Sequence, residues 1–375
     1  MTGRPGEHTV SVHCATKRIA YRDTFVDELY EDIGRLVTGD AVDAHQVESR
    51  LRLLARTNSA ATAAYWDRHE DGVGIPDSAY KASPPYLFPD REPVRVFETS
   101  NTTGTGTGRV AYTPRGMELM ETSIVRNAET HLLRGLAEPA VIRLVPSEKA
   151  APGMIMAHGM ELIARRFGHA RLSSCVLDGS GVDRHAVRRL LGHAVAEERP
   201  VVLIGATSVF VNLCQSLREE GESWRLPSGS RLVDAGGHKR DRRVSVEETR
   251  AMAARVFGIE PWGHCNLFGM TELASQLYDG RDTPVGPLGE RPKASEPFVR
   301  AQVRAPDDLS LLPRGAGLLE VVDLCVLDRP CALLTGDWGL AHPAGVAVTG
   351  RVAKARQRGC SLALDQVTAG RGGHG

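Results

Sequence analysis

The sequence predicts an α/β protein: a core with a largely parallel sheet flanked by helices, preceded by a helical segment and followed by a small β-rich subdomain. Three observations carry this. From residue 94 to 293, apolar runs of strand length alternate with amphipathic helical stretches, which places helical crossovers between parallel strands. From residue 294 onward, short β-like pieces broken by Pro and Gly replace the helices. Before residue 94 the apolar residues recur at helical spacing. The expected divisions are 1–93, 94–293, 294–350 and a tail, 351–375.

Residues 1–21 are polar and aperiodic, carry no apolar signal core, and are expected to fray. Phe25, Leu29, Ile33 and Leu36 predict a first helix; Leu51, Leu53 and Leu54 predict a second, with Gly39-Asp40 between them. Residues 60–69 are Ala-rich and read as a third. Four prolines in 84–93 make an extended connector. Residues 94–97 form a short strand running into a Gly/Thr loop, and Thr113-Pro114 starts a helix that continues through 117–133.

Strands are expected at 140–145, 173–177 and 201–204, with helices at 154–167 and 183–197. Residues 231–233 add a strand closing on Asp234-Ala235-Gly236-Gly237. A helix at 246–257 leads to the strand-like run 262–268, and a short helix is expected at 272–277. The β-like pieces of the last subdomain fall at 299–303, 317–322 and 332–334.

Lys plus Arg equals Asp plus Glu at 46 each, so the formal charge is zero, which argues against a broad footprint for nucleic acid. The seven cysteines include no CxxC pair and match neither a zinc pattern nor a disulfide framework, so reduced thiols in a cytoplasmic protein are expected. The most apolar stretch, 201–213, is interrupted by Gly205, Thr207 and Ser208 and is too short to span a bilayer.

Four short motifs carry chemistry. The loop from Thr99 to Arg109 includes Ser100, Asn101, Thr102, Thr103 and Gly104, and its backbone N–H groups and hydroxyls can wrap a polyphosphate. It is neither a P-loop, lacking Gly-Lys-Ser/Thr, nor a dinucleotide fingerprint. A flexible turn is the plain structural alternative. Phe268-Gly269-Met270-Thr271-Glu272 follows a strand, and there Thr271 could simply cap the next helix. Leu334-Thr335-Gly336-Asp337 could be a turn, and Gly350-Arg351 follows it, with Arg351 fourteen positions beyond Asp337. His158 reads as a structural histidine or a pocket residue. Cys325 and Cys331 sit among apolar residues and read as inert core thiols.

The ordered set resembles the nucleotide-handling machinery of the adenylate-forming enzymes, which activate a carboxylate as acyl-AMP. Arg358-Gly359-Cys360-Ser361-Leu362, so soon after Gly350-Arg351, narrows the resemblance to the acyl-protein synthetase branch. Asn101 stands where that family usually has glycine and Arg109 where lysine is common. The resemblance implies an N-terminal-type adenylate-forming domain that uses ATP and Mg²⁺. Thr99, Ser100, Thr102, Thr103 and Gly104 would hold phosphates, and Phe268 and Gly269 would border adenine. Thr271 would bond the α-phosphate, Glu272 would hold the metal, Asp337 the ribose, and Arg351 the ribose or phosphate. Gly236 and Gly237 would lie along adenine, with His238 and His158 near the acyl group.

With 24 residues after Arg351, the tail 351–375 is expected to replace the family's mobile lobe. There Lys354, Arg356 and Arg358 would lower the pKa of Cys360, making it the acyl acceptor. The implied partners are a carboxylic acid and an acyl reductase or carrier protein. Two alternatives stay open. One is a stand-alone ligase that passes the acyl group to a carrier protein, coenzyme A or an amine. The other is a non-catalytic nucleotide-binding scaffold.

Overall fold

The computed structural model describes residues 7–69, 72–99, 108–235, 246–279 and 291–352. Two sheets organise them. The first has six strands, in the order Leu277–Tyr278, His264–Phe268, Arg231–Ala235, Val201–Ala206, Ala140–Leu144 and Ser174–Cys175. Only the first pairing is antiparallel. Alternate residues of these strands enter two separate cores, as the two-residue period of a strand requires. Val201, Leu203 and Leu232 face the helices Arg184–Ala196, Thr207–Glu219 and Val246–Phe257. Val202, Ile204 and Val233 face the helices Pro114–Asn127 and Ile155–Phe167.

That second core does not end at the helices. It runs on into the N-terminal helices and a five-stranded sheet, whose order is Ile75–Pro76, Ala332–His342, Gly315–Asp323 and Val299–Arg304. The fifth strand, Gly345–Arg351, pairs with the far end of Ala332–His342. The N-terminal segment is therefore stitched into the sheet by a parallel edge strand, Ile75 and Pro76 against Leu333 and Leu334. A two-stranded hairpin, Arg95–Glu98 with Arg109–Tyr112, carries the Gly/Thr loop.

Most expected elements form. Thr113 caps the helix Pro114–Asn127, its side chain accepting from Gly116 N with Pro114 in the first turn. Asp183 does the same for Arg184–Ala196 by accepting from Ala186 N. Gly39, at φ +98°, separates the helices Glu7–Thr38 and Ala44–Asn58.

Three expectations fail. The first helix begins at Glu7, inside the stretch expected to fray. The strand expected at 332–334 extends to Ala332–His342. The helix expected at 272–277 is a turn leading into Leu277–Tyr278, so Thr271 caps no helix. Its backbone donors are taken by Asp323: Ala274 N and Ser275 N donate to Oδ2 at 2.8 and 2.7 Å, and Ser275 Oγ donates to Oδ1. A fully buried carboxylate satisfied by a turn outweighs a weak helical preference.

Gly74 fixes how the edge strand enters. Its N–H donates to the buried carboxylate of Glu320 at 3.0 Å, and its carbonyl accepts from Tyr65 Oη at 3.1 Å. Glu320 is also paired with the buried Arg304. A methyl group on Gly74 would lie 2.6 Å from the backbone of Leu333 and Leu334. Gly74→Ala should therefore destabilise the protein by about 2 kcal/mol or more, because the obstruction is backbone that cannot swing aside. A urea titration checks this; an unchanged midpoint would show that the strand accommodates the methyl.

Candidate active site

Antiparallel pairing sets Asp337 directly opposite Arg351, which accounts for their spacing in the sequence. Arg351 Nε lies 3.1 Å from Asp337 Oδ1, and its Nη1 lies 3.7 Å from Asp77 Oδ2. Asp77 follows the edge strand, and its N–H donates to Leu334 O at 3.0 Å. Asp337 is buried, and its Oδ2 has no hydrogen-bond partner among the described residues. Burial pushes its carboxyl up to about 6, with Arg351 opposing the shift and Asp77 adding to it. An unmet acceptor of this kind suits a hydroxyl-bearing ligand.

Glu272 arrives from the other sheet, on the turn after His264–Phe268. Burial pushes its carboxyl up to about 7; Asp77 raises it further, while Arg329 and Lys81 pull it down. Asp77 thus acts on both Glu272 and Asp337, and the three acids from separate segments share one neighbourhood. Arg329 Nε donates to the Glu272 carbonyl at 2.8 Å, and its Nη2 donates to Tyr112 Oη at 2.6 Å. The guanidinium also lies 4.5 Å from the centre of the Tyr112 ring. Asp328, beside it, accepts from Thr113 N and Thr113 Oγ1. The segment from Asp323 to Arg329 therefore clamps both the Glu272 turn and the start of the helix Pro114–Asn127.

The Gly/Thr loop leaves its hairpin at Thr99 and returns at Gly108. Thr99 N donates to Gly108 O at 2.9 Å, and Gly108 N donates to Thr99 Oγ1 at 2.8 Å, closing the neck. Thr99 is buried there. Beside the neck is the helical turn Ala79–Ala82, whose Tyr80 hydroxyl is buried without a hydrogen-bond partner among the described residues. Arg109 lies 3.5 Å from Glu98 and is largely exposed.

Phe268 ends its strand half-buried against the core; Gly269 is exposed and Thr271 half-buried. Ser100, Thr102, Thr103, Gly104, Gly236, Gly237, His238 and Cys360 lie outside the described residues. At the end of its strand, Asp234 belongs to a buried polar network. It accepts from Thr207 Oγ1 at 2.8 Å and Asn266 Nδ2 at 3.1 Å, and pairs with His264 Nε2 at 2.7 Å. Burial works against its charge, but these bonds hold the carboxyl below its usual range. The buried Lys293 ties Asn266 to Asp279. His158 sits between Glu148, 2.9 Å from Nδ1, and Glu121, 3.1 Å from Nε2, with its ring beside Phe97. It links the hairpin to two helices. Cys325 and Cys331 are buried, and burial pushes the Cys331 thiol up to about 12.

Sequence motifs pointed to Glu272, Asp337 and Arg351 but missed Asp77, Lys81 and Arg329. The available signal was charge out of place: Glu320, Asp323, Asp328 and Arg329 interrupt an otherwise apolar stretch, and all are buried.

The two-sheet architecture is that of the adenylate-forming enzymes. A 2-hydroxyisobutyryl-CoA ligase solved with 2-HIB-AMP and CoA in the thioesterification state superposes with a TM-score of 0.58 at 13% identity, covering 85% of this chain and 70% of that one. ATP-bound MatB from Rhodopseudomonas palustris gives 0.50 at 20% identity, covering 70% and 49%. Within that class, residues 184–369 match the family described as acyl-protein synthetase, LuxE. A long-chain-fatty-acid–luciferin-component ligase of Vibrio harveyi is 26% identical over 179 residues, 45% of each chain. The match thus spans less than half the length of that curated relative.

A carboxyl raised from 4.5 to about 7 on folding binds its proton more tightly in the native state. Its stabilising contribution is present at low pH and is lost as pH rises through that interval. Glu272→Gln removes the cost of ionising a buried group. The variant should gain about 3 kcal/mol over wild type at pH 8, with the difference closing near pH 4. Urea titrations at the two pH values test this, and a variant less stable than wild type at pH 8 would contradict it.

Proposed function

We propose that this protein activates a carboxylic acid, of fatty-acid type, as an acyl adenylate with ATP, then passes the acyl group to a thiol. The convergence of Glu272, Asp337 and Arg351 beside the neck of the Gly/Thr loop carries the reading. The acyl-protein synthetase match, which extends through these three residues and through Cys360, supports it. The named activity of the Vibrio harveyi relative suggests the acid.

In the first half-reaction a carboxylate oxygen bonds to the α-phosphorus and the bond to the bridging oxygen breaks. Pyrophosphate leaves with the electron pair. Two anions must meet, so donors and cations have to neutralise charge as it develops. Asp337 Oδ2 is available to accept from a ribose hydroxyl, and Arg351, held by Asp337 and Asp77, presents its remaining donors beside it. Thr271 would donate to the α-phosphate.

Glu272 is a suitable Mg²⁺ ligand, a hard oxygen donor whose ionisation a cation would favour. No group of three or more His, Cys, Asp or Glu among the described residues could hold a metal alone, which fits an ion completed by phosphate and water. When bound, Mg²⁺ supplies positive charge to the triphosphate. In the second half-reaction a thiolate attacks the acyl carbon, AMP leaves, and the thiol proton goes to solvent. Cys360 is the proposed acceptor, and an acyl reductase or carrier protein the proposed recipient.

ATP–pyrophosphate exchange with a panel of fatty acids tests the reading. Exchange should require acid, and Glu272→Gln should lower it by on the order of a hundredfold. Cys360→Ala should leave exchange near wild type but fail to retain radiolabelled acid as a hydroxylamine-sensitive thioester. Exchange lost in that variant would place Cys360 in adenylation; a retained thioester would remove it as acceptor.

A further inference from the structure

The hairpin of Arg95–Glu98 with Arg109–Tyr112 belongs to neither large sheet, yet both its strands run into the neck of the Gly/Thr loop. Two strands alone are marginally stable at best, so side-chain contacts must set where the neck lies. The strand Arg109–Tyr112 is held at its end, where Tyr112 Oη accepts from Arg329 Nη2 at 2.6 Å and donates to Leu273 O at 3.2 Å. The strand Arg95–Glu98 has a separate anchor, and His158 is at its centre.

One carboxylate oxygen makes the connection. Glu148 Oε1 accepts from Arg95 Nη2 at 2.8 Å and from His158 Nδ1 at 2.9 Å. Burial works against the charge on Glu148, but His158, with Arg95 and Arg165, holds its carboxyl below the usual range. Arg95 Nη2 also donates to Pro152 O at 2.7 Å, and Glu98 N donates to Gly153 O at 2.8 Å. The strand therefore lies along the segment that leads into the helix Ile155–Phe167. His158 stands on that helix, 4% exposed, with its ring 5.6 Å from that of Phe97. Its Nε2 has Glu121 Oε1 at 3.1 Å as a charge neighbour without hydrogen-bond alignment. Glu161, on the same helix, accepts from Glu148 N at 3.1 Å and pairs with Arg143. Both ring nitrogens of His158 thus face carboxylates of the protein itself.

We propose that His158 is a positioning residue for triphosphate binding: through the Glu148 oxygen that it shares with Arg95, it fixes the strand Arg95–Glu98 and so the point at which Thr99 opens the Gly/Thr loop. The proposal rests on the adenylate-forming reading above, and it gives the histidine a role at the phosphate end of the site instead of the acyl end. Recognition of phosphate by backbone donors depends on where those donors point, which a displaced strand would spoil. His158 itself touches no substrate and moves no proton. The anchor precedes residues 184–369, which match the acyl-protein synthetase family.

Pyrophosphate exchange on the full chain, with ATP and acid varied in turn, tests this in His158→Leu, His158→Asn and Arg95→Met. His158→Leu should raise KM for ATP about tenfold and leave KM for the acid near wild type. His158→Asn, which returns a donor close to the Nδ1 position, should recover much of the loss. Arg95→Met should show the same ATP-specific effect, and adding His158→Leu to it should change little, as expected for two ends of one connection. Arg95 is partly exposed, so its variant carries the test even if the core substitution fails to fold. By calorimetry both variants should bind ATP more weakly and adenosine as wild type does. A raised KM for the acid with KM for ATP unchanged would place His158 at the acyl group and overturn the proposal. Equal losses for ATP and adenosine, or additive effects of the two variants, would also overturn it. Wild type that binds no ATP would instead overturn the adenylate-forming reading itself.

Discussion

The Arg329 guanidinium reaches three parts of the molecule at once. It belongs to the connection between two strands of the five-stranded sheet, yet it donates to the Glu272 carbonyl of the six-stranded sheet and to Tyr112 of the hairpin. A buried guanidinium is costly unless its donors are met and opposite charge is near, so these contacts are mutually binding. Removing one leaves a further unmet donor on a buried guanidinium whose Nη1 already has no hydrogen-bond partner among the described residues. Asp323 and Asp328 reinforce the same constraint by accepting from the turn at Ala274 and Ser275 and from the helix start at Thr113. The position of Glu272 relative to the loop neck is thus fixed by buried polar contacts whose partners come from three segments.

The electrostatics follow from that placement. Glu272 and Asp337 are buried carboxyls without full compensation, and Asp77 lies close enough to raise both. Asp234 shows the contrast: equally buried, it is held ionised by His264, Thr207 and Asn266. Asp328 is likewise pushed up to about 6 but is engaged by Thr113; Glu272 and Asp337 are the raised acids that a metal ion and a ligand hydroxyl would compensate, as at many functional sites.

Much of the fold was legible because it depends on local patterning. The strands Ala140–Leu144 and Val201–Ala206 are short apolar runs bounded by breaks, and the helices between the strands show clear periodicity and caps. Asp337 and Arg351 were singled out by motif resemblance, but their pairing was not, because the expected strand stopped at 334 and the observed one runs to His342. The turn after Glu272 was not legible either, because the residue that overrides the helix, Asp323, is distant in sequence. Asp77 and Lys81 were invisible for a related reason. They belong to no nucleotide motif and reach the site only because Gly74 admits a parallel edge strand against Leu333 and Leu334. Their placement is a product of topology, which periodicity cannot report.

Direct titration of the Glu272 carboxyl tests the central claim, that a strained acid awaits a charged ligand between the two sheets. Protein labelled with ¹³C at glutamate carboxyls, with the resonance assigned by its loss in Glu272→Gln, would be titrated alone and with Mg²⁺ and ATP. The account predicts an apparent pKa of about 7 in the free protein and a clear fall when Mg²⁺ and ATP bind. A value near the ordinary 4.5 in the free protein, or one unmoved by Mg²⁺ and ATP, would contradict it.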